Sequence, residues 1–400
     1  MAVTIEEAVR GPHHVVNRIQ VAVDPPTGWL RYNSTTWSDP TFQVITGSIT
    51  ESLEDDVTRS LNLTVVSDIW HDVFDALKDI SPYKTLIKIE RGVIAANVPE
   101  ETASIYSESL MQVLGVFRVT DVKLASGGGG SWGISVEAYS REVDVRDDRF
   151  EESQLADGGN ISNHIKRFVQ EPFREPASVI YSTSDLPSGH RLLTTTITAG
   201  ATITTERDRL GIINQLEKDS DVWGRFDRFG DYRVSPYPKV TDPPKWRVDA
   251  GESGVLVSYD KDYSRAGIYN AVIVVGENKE TGETWRSVAR DTVLTSPTLY
   301  GGPFGKVPRF YYSPLIRSQG AADETAATLL QKSLSRKSGI NFSAIPNPAI
   351  QVGDVVEVVY EDASTENHLI TQLTIGLGVD AAMTATTAAD PETQAEMQEL

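Results

Sequence analysis

The sequence predicts a mainly β protein with a mixed α/β insert, and three observations lead to this fold class. Short stretches in which apolar and polar residues alternate fill residues 15–150, and the same pattern returns in residues 251–387. Residues 151–250 combine helical spacing of apolar residues with short strands. Alternation with a period of two is typical of half-buried strands, whereas a period of 3.6 indicates an amphipathic helix. We therefore predict two β domains of similar content around an α/β domain.

The first predicted β domain, residues 15–150, follows an N-terminal arm of residues 1–14. Its six predicted strands lie at residues 19–23, 42–50, 61–65, 86–89, 113–124 and 132–138. Ser67 is a suitable N-cap for one short helix. The apolar residues that share one face of this helix are Trp70, Val73, Phe74 and Leu77. Six strands with a single helix favour a small barrel or sandwich.

The predicted insert, residues 151–250, contains two helices and a hairpin. The first helix ends before Pro172, and its apolar side consists of Ile161, Ile165, Phe168 and Val169. Thr205 and Asp208 have the spacing of a capping box, which predicts a second helix that runs to Leu216. A β-hairpin is predicted around residues 227–230, where Asp-Arg-Phe-Gly separates two strand-like segments.

The second predicted β domain, residues 251–387, contains one longer helix. Ser318 is its predicted N-cap, Gly339 ends it, and its apolar stripe consists of Ala322, Ala326, Leu329, Leu330 and Leu334. Strands are predicted at residues 255–259, 269–275, 285–289, 340–344, 350–360 and 369–375. Residues 388–400 are acidic and polar, and we expect either a free tail or a short helix against a partner.

Composition excludes several classes of protein. Hydrophobic residues make up 40% of the 400-residue chain, enough for large cores, but no stretch of about 18 uncharged apolar residues would span a membrane. Residues 1–10 carry Glu6 and Glu7 and no apolar run, so we expect no signal peptide. The sequence has no cysteine, which excludes disulfides, thiolate metal sites and cysteine nucleophiles.

The formal net charge of −19 bears on nucleic acids. A chain this acidic repels phosphates, so we expect no stable binding of DNA or RNA. The charge is consistent with a role in solubility alone. A more specific interpretation is a surface past which DNA moves without sticking.

Two glycine-rich stretches imitate catalytic motifs. Residues 129–133 match the G-x-S-x-G pattern around Ser131, but a nucleophile elbow needs a strand before the serine and a helix after it. Here glycines precede the motif and a strand follows, which predicts a hairpin loop. Residues 301–306 resemble a phosphate loop, but Val307 replaces the required Ser or Thr and Pro303 lacks an amide proton. We predict a loop there as well.

No other residues form a catalytic or metal-binding pattern. None of the six histidines lies in a metal-binding motif. They are His13, His14, His71, His164, His190 and His368. Asp354 follows Gly353 where a turn is expected, and the segment around Asp227 lacks the further oxygen ligands of a calcium loop. We therefore predict no catalytic, cofactor-binding or metal-binding residues, no cofactor and no enzymatic activity.

The order of elements resembles a known family. Residues 347–354, Asn-Pro-Ala-Ile-Gln-Val-Gly-Asp, lie between a helix–strand unit and a hairpin. Residues 262–276 look like the strand that enters a second barrel, and residues 117–122 and 134–139 resemble the closing strands of a first barrel. This order is similar to that of the tail hub proteins of long-tailed bacteriophages, which are also called baseplate hub, tail-tip or minor tail proteins.

The resemblance implies two tail-tube-like β-barrel domains, at residues 15–150 and 251–387, around the α/β domain. It also implies a trimeric, pseudo-hexameric ring at the tail tip that takes part in host attachment and genome ejection. The expected partners are further copies of the chain, the tail tube or distal tail protein, tip or fibre proteins, and the tape measure protein. DNA would pass transiently without specific binding. The protein would be made in the host cytoplasm and reside in the virion.

Three alternatives remain at the level of the sequence. A cell-wall or capsule glycan hydrolase would use two of the many carboxylates. A carbohydrate-binding adhesin of the tail would use some of the seven Trp and fourteen Tyr residues. Within the structural class, the distal tail ring protein is the alternative.

Overall fold

A computed structural model describes the greater part of the chain. The described residues are 9–11, 13–23, 30–34, 44–67, 80–83, 85–95, 111–126, 132–252, 254–261, 265, 268–277, 282–313, 316–335, 339–378 and 380–389. The helix predicted from Trp70 to Leu77 lies outside these ranges, as do residues 390–400 and most of the predicted N-terminal arm.

The first part of the chain forms seven antiparallel strands. They are β1 (His13–Val23), β2 (Leu30–Ser34), β3 (Val44–Ser52), β4 (Arg59–Ser67), β5 (Thr85–Ala95), β6 (Gln112–Ser126) and β7 (Trp132–Tyr139). Their order in the sheet is β3-β4-β7-β6-β5-β1-β2. The six predicted strands are confirmed as β1 and β3 to β7, because alternation such as buried Leu61, exposed Asn62 and buried Leu63 marks one inner face. The pattern missed β2, a short strand at the end of the sheet.

The middle of the chain forms a helical region with short strands. Its elements are α1 (Glu142–Asp147), β8 (Gln154–Leu155), α2 (Ile161–Gln170), a 3₁₀ turn (Pro176–Ser178), β9 (Tyr181–Ser182), α3 (Arg191–Thr194), β10 (Thr202–Thr204), α4 (Arg209–Asp219), β11 (Val222–Phe226) and β12 (Tyr232–Pro236). Ile165, Phe168 and Val169 of α2 pack in a separate core with α4, which confirms the predicted apolar side. The predicted hairpin is confirmed as β11 and β12.

The start of α4 corrects one prediction. The N-cap is Asp208, whose Oδ1 accepts a hydrogen bond from the amide of Gly211 at 3.0 Å, and the helix begins at Arg209. Thr205 was predicted to open this helix, but it lies three residues too early. Asp is itself a strong N-cap residue, so no capping box is needed.

The last part of the chain contains the remaining elements. They are β13 (Trp246–Asp249), β14 (Leu256–Lys261), β15 (Ala271–Glu277), β16 (Thr284–Arg290), β17 (Pro308–Ser313), α5 (Gln319–Ser335), β18 (Ile340–Ala344), β19 (Val355–Val359), β20 (Thr365–Gly376) and β21 (Met383–Ala389). The predicted helix is confirmed as α5. The strand predicted from residue 350 begins only at Val355, because residues 350–354 form a turn.

One continuous sheet joins the first and last parts of the chain. Strands β14, β18, β21 and β20 pair in that order, and β20 then pairs with β3 of the first group. At this seam Thr50 lies opposite Thr374, and their hydroxyl oxygens are 3.1 Å apart. The mainly β fold class with a mixed insert is confirmed. Within the described ranges no pairing closes either strand group into a barrel, since the sheet runs from one group into the other.

Strands β15, β16 and β17 form a separate sheet that α5 covers. Val272 and Val274 of β15 pack against Ala322, Ala326 and other apolar residues of α5 in a core of their own. The strand predicted at residues 269–275 therefore exists, but it belongs to this small sheet and not to the large one. The predicted domain boundaries remain a prediction.

Candidate functional site

A buried carboxylate lies where the first strand group, the insert and the last strand group meet. Glu51 of β3 is only 3% exposed, and its Oε1 lies 3.1 Å from Nε of Arg59 on β4. Its Oε2 accepts a hydrogen bond from the amide of Val352 at 3.1 Å. Burial raises the pKa of Glu51, but Arg59, Arg228 and the Val352 amide together outweigh burial and hold the pKa below its ordinary value. We call Glu51, Arg59 and Arg228 the junction.

The two arginines of the junction tie the three regions together. Arg59 Nη1 donates a hydrogen bond to the carbonyl of Phe226 at 2.6 Å. Arg228, in the turn of the β11–β12 hairpin, donates to the carbonyls of Pro348 at 2.9 Å and Ile350. The Asn-Pro-Ala-Ile-Gln-Val-Gly-Asp stretch that carried the family resemblance is thus the segment on which the insert docks. The carboxylate and both guanidinium groups each have protein partners, as in a structural site, although Nε of Arg228 makes no hydrogen bond.

A second buried carboxyl, Glu217 of α4, lies beside a cleft. Its Oε1 accepts a hydrogen bond from the hydroxyl of Tyr232 at 2.9 Å, and its Oε2 accepts one from the amide of Gly224 at 3.1 Å. Burial raises the pKa of Glu217 to about 8. The cleft holds about 770 Å³ between the insert and α5. A protonated carboxyl is a feature of general acids, but both hydrogen-bond partners of this one are structural: the hydroxyl of the buried Tyr232 and a backbone amide.

His368 belongs to a cluster that imitates a hydrolase triad. Its Nδ1 lies 3.2 Å from Oγ1 of Thr387, and its Nε2 lies 3.1 Å from Oε2 of Glu366. However, His368 is 0% exposed, and the Thr387 hydroxyl already bonds to both the amide and the carbonyl of Ile340. A substrate cannot reach this hydroxyl, so the cluster stabilises the sheet and does not act as a nucleophile.

The remaining histidines occupy separate places. His13 Nδ1 lies 2.8 Å from the carbonyl of Gly11, and His190 caps α3. His164 is buried on α2, 3.6 Å from Asp157. His71 and the side chain of His14 lie outside the described parts. Across the parts that are described, no three His, Asp or Glu residues come together as a metal site.

The predicted loops and turns have structural partners. Asn270 holds the loop at residues 301–306, since its Nδ2 donates to the Gly305 carbonyl at 2.8 Å and its Oδ1 accepts from the amide of Val307. Asp227 Oδ1 accepts from two amides of its own turn, and Asp354 accepts from the amide of Gln351. Residues 127–131, which include Ser131, lie outside the described ranges; a strand follows them, as predicted.

Comparison with solved structures shows the fold over nearly the whole chain. A tail protein from Neisseria meningitidis MC58 matches 95% of this chain and 97% of its own, with 11% identity and a TM-score of 0.62. The prophage MuSo2 43 kDa tail protein from Shewanella oneidensis matches 94% of this chain and 99% of its own, with 13% identity and a TM-score of 0.58. The chain has the fold of phage tail proteins. The prophage tail protein gp18 from Listeria monocytogenes EGD-e, at 12% identity and a TM-score of 0.52, covers 95% of this chain and 97% of its own.

The resemblance to tail hub proteins is confirmed at the level of the fold. No protein-family model matches the sequence, and no curated protein matches it. In the described residues no helix is long and apolar enough to cross a membrane. The tail-protein fold is therefore recognisable from three-dimensional structure where sequence identity is only 11–13%.

Sequence reasoning missed the junction, although a signal for it exists. Glu51 shares the inner face of β3 with Ile49, and Arg59 shares the inner face of β4 with Leu61. A charged residue in register with apolar ones predicts a buried ion pair when a neighbouring strand carries the opposite charge. The third member, Arg228, gives no such signal because it lies in a turn 169 residues after Arg59.

Proposed function

We propose that this protein is a structural component of a phage tail and forms the hub at the distal tail tip. The observation that carries the proposal is a fold match to tail proteins that spans at least 94% of both chains. Fold alone does not fix function, so the proposal also rests on the polar clusters described above. Each of them is engaged in holding parts of the chain together, which is what a scaffold requires.

The large sheet suggests how copies of the chain would associate. Within the described ranges, β2 and β14 at the two ends of the sheet are each paired on one side only. β14 also exposes Val257, which is 66% exposed at an irregularity in the strand pairing. Free strand edges pair readily with another chain. Contact between β14 of one copy and β2 of the next is head-to-tail, and such contacts close into a ring when the rotation allows.

We propose a trimer on these grounds. Each chain carries two strand groups, so three copies would place six groups around a central channel, as a pseudo-hexameric ring. The net charge of −19 favours a channel that does not retain DNA during ejection. The proposed partners are the tail tube or distal tail protein, tip or fibre proteins that act in host attachment, and the tape measure protein. The proposed site of action is the virion, after synthesis in the host cytoplasm.

The proposed role is not enzymatic. The His368 cluster is sealed from solvent, and the junction has no room for a substrate. Zymography on cell-wall and capsule glycans with purified protein separates this role from that of a hydrolase. We expect no cleared zone. A cleared zone that disappears when an Asp or Glu of this chain is substituted would overturn the proposal.

The mass of the assembly tests whether copies of the chain pair through β14 and β2. Light scattering with isolated tail tubes present as a template should give three copies per ring for the native chain. Val257→Asp places a charge on the β14 edge and should abolish assembly. Val293→Asp is the matched control, because Val293 is also exposed but lies in the loop after β16. Equal assembly by both variants would exclude β14 as the contact, and a native chain that stays monomeric on the template would exclude the ring.

A further inference from the structure

A pocket of about 330 Å³ lies between the β11–β12 hairpin and the turn at residues 351–354. Trp223 and Arg225 alternate with residues that face the core of the insert, so both point out of that core and into the pocket. The guanidinium of Arg225 stacks on the Trp223 ring, with its central carbon 3.6 Å from the ring centroid. Gly353 forms the opposite wall, and its φ of +86° lets the backbone approach the same ring.

Arg225 is buried, and within the described residues its nearest opposite charges, Glu51 and Asp227, act on it only from beyond ion-pair distance. It is 9% exposed, and its only hydrogen bond runs from Nη1 to Oγ of Ser235 at 3.2 Å. Its Nε is buried and has no hydrogen-bond partner. Among the residues described, no carboxylate lies within ion-pair distance of the guanidinium. An unpaired buried charge is costly, and buried charges in proteins are generally paired.

The surroundings make the missing partner an anion. Arg225 lies directly opposite Arg233 on β12, and like charges opposite each other destabilise a strand pair. Arg233 forms ion pairs with Asp185 and Asp227 at 3.5 Å, so of these two arginines only Arg225 makes no ion pair with a described residue. Lys245, whose side chain is 61% exposed, and the exposed Lys239 lie at the rim, where Asp354 and Asp242 balance their charge.

The rim also limits how much negative charge the pocket accepts. Asp354 lies 2.5 Å from Nζ of Lys245, and Asp242 accepts a hydrogen bond from the amide of Lys239. These two carboxylates repel a doubly charged phosphate more strongly than a singly charged group. The planar fork of a guanidinium matches a carboxylate with two parallel hydrogen bonds.

We propose that the Arg225 pocket binds a carboxylate side chain presented by an acidic peptide segment of another protein. The pocket would accept one Asp or Glu side chain, with the guanidinium on the two oxygens and Trp223 against its methylene groups. This site does not depend on the proposed ring, because all of its residues come from one chain.

Fluorescence anisotropy with the full chain tests the proposal. The probe is a labelled peptide of alternating Glu and Ala, and the comparison is the same peptide with Gln in place of Glu. We expect the Glu peptide to bind at least about tenfold more tightly, and Arg225→Gln to remove that difference, since a charge-assisted pair contributes about this much. Arg233→Gln is the control: it removes the same charge from the opposite strand, outside the pocket, and should keep most of the preference.

Four results would overturn the proposal or part of it. Equal binding of both peptides, or full binding by Arg225→Gln, would overturn it. Inorganic phosphate that competes more strongly than acetate would overturn the assignment to a carboxylate. A chain that ends at Ala389 should bind the Glu peptide as tightly as the full chain does. A large gain in affinity on this truncation would mean that residues 390–400 fill the pocket, and would overturn the assignment to another protein.

Discussion

Two buried arginines of the same hairpin, Arg228 and Arg225, have opposite surroundings. Arg228 lies 3.9 Å from Glu51 and donates to backbone carbonyls of the Pro348–Ile350 turn. Arg225, three residues earlier, has one neutral hydroxyl partner and an aromatic ring. Burial lowers the pKa of both groups; at Arg228 the next largest influence is Glu51, which raises it, whereas at Arg225 it is Arg59, which lowers it further. The paired Arg228 holds regions of this protein together, whereas Arg225, which makes no ion pair, is the proposed contact for a carboxylate.

The largest effect expected from this comparison is at Arg228. Arg228→Met leaves carbonyls of the 348–350 turn unpaired and leaves Glu51 with Arg59 alone. Removal of one partner from a buried charge network costs about 3–5 kcal/mol. Urea denaturation at neutral pH measures this loss. A loss below about 1 kcal/mol would mean that the junction does not couple the insert to the sheet.

Glu217 gives the next effect, and it depends on pH. Its folded-state pKa of about 8 lies above the ordinary value of 4.5, so the folded protein keeps a proton that the unfolded chain releases between these two values. Stability from this group is therefore complete below pH 4.5 and is lost as the pH rises towards 8. Glu217→Gln removes this loss. The free energy of unfolding of the variant, relative to that of the native chain, should therefore rise by up to about 1.4 kcal/mol per pH unit between pH 5 and 8.

Denaturation at pH 5, 6.5 and 8 follows this difference. Glu206→Gln is the control, because Glu206 is exposed and should leave the profile of the native chain unchanged. If the free energies of unfolding of Glu217→Gln and the native chain change with pH in parallel, Glu217 is ionised in the folded protein.

A substitution at Gly353 changes the shape of the pocket without changing its charge. The φ of Gly353, +86°, is unfavourable for other residues, and a Cβ there would lie 2.9 Å from Cζ3 of Trp223. Gly353→Ala should cost about 1–3 kcal/mol in thermal or chemical denaturation. Gly251→Ala is the matched control, with a φ of +104° and open space around the position. Equal losses for the two variants would show that backbone strain alone matters and that Trp223 yields without cost.

The smallest expected effect is an increase in stability, at Arg225. Arg225→Met removes an unpaired buried charge and keeps an apolar side chain on Trp223, so the free energy of unfolding should rise by about 1 kcal/mol. The same substitution at Arg228 should lower it, which makes the pair a direct test of the comparison. A fall in stability for Arg225→Met would mean that a partner within the chain satisfies the guanidinium.

Periodicity predicted those parts of the fold that short-range patterning controls. Alternation identified β1 and β3 to β7, and the apolar stripe of Ala322 to Leu334 identified α5, since one face of each element must be buried. The pairing of β3 with β20 was beyond reach, because it joins residues more than 300 positions apart and no local pattern specifies a partner strand. Separation in sequence also hid the junction and the pocket, whose residues come from β3, β4, the β11–β12 hairpin with the residues that follow it, and the 347–354 stretch.

The central claim is that this chain is a scaffold at the distal end of a phage tail. Cryo-electron microscopy of virions that carry a gold-binding tag on this chain tests it most directly. The account predicts label only at the tail tip, in a threefold arrangement that surrounds the channel. Label along the tail shaft or on the capsid would contradict it.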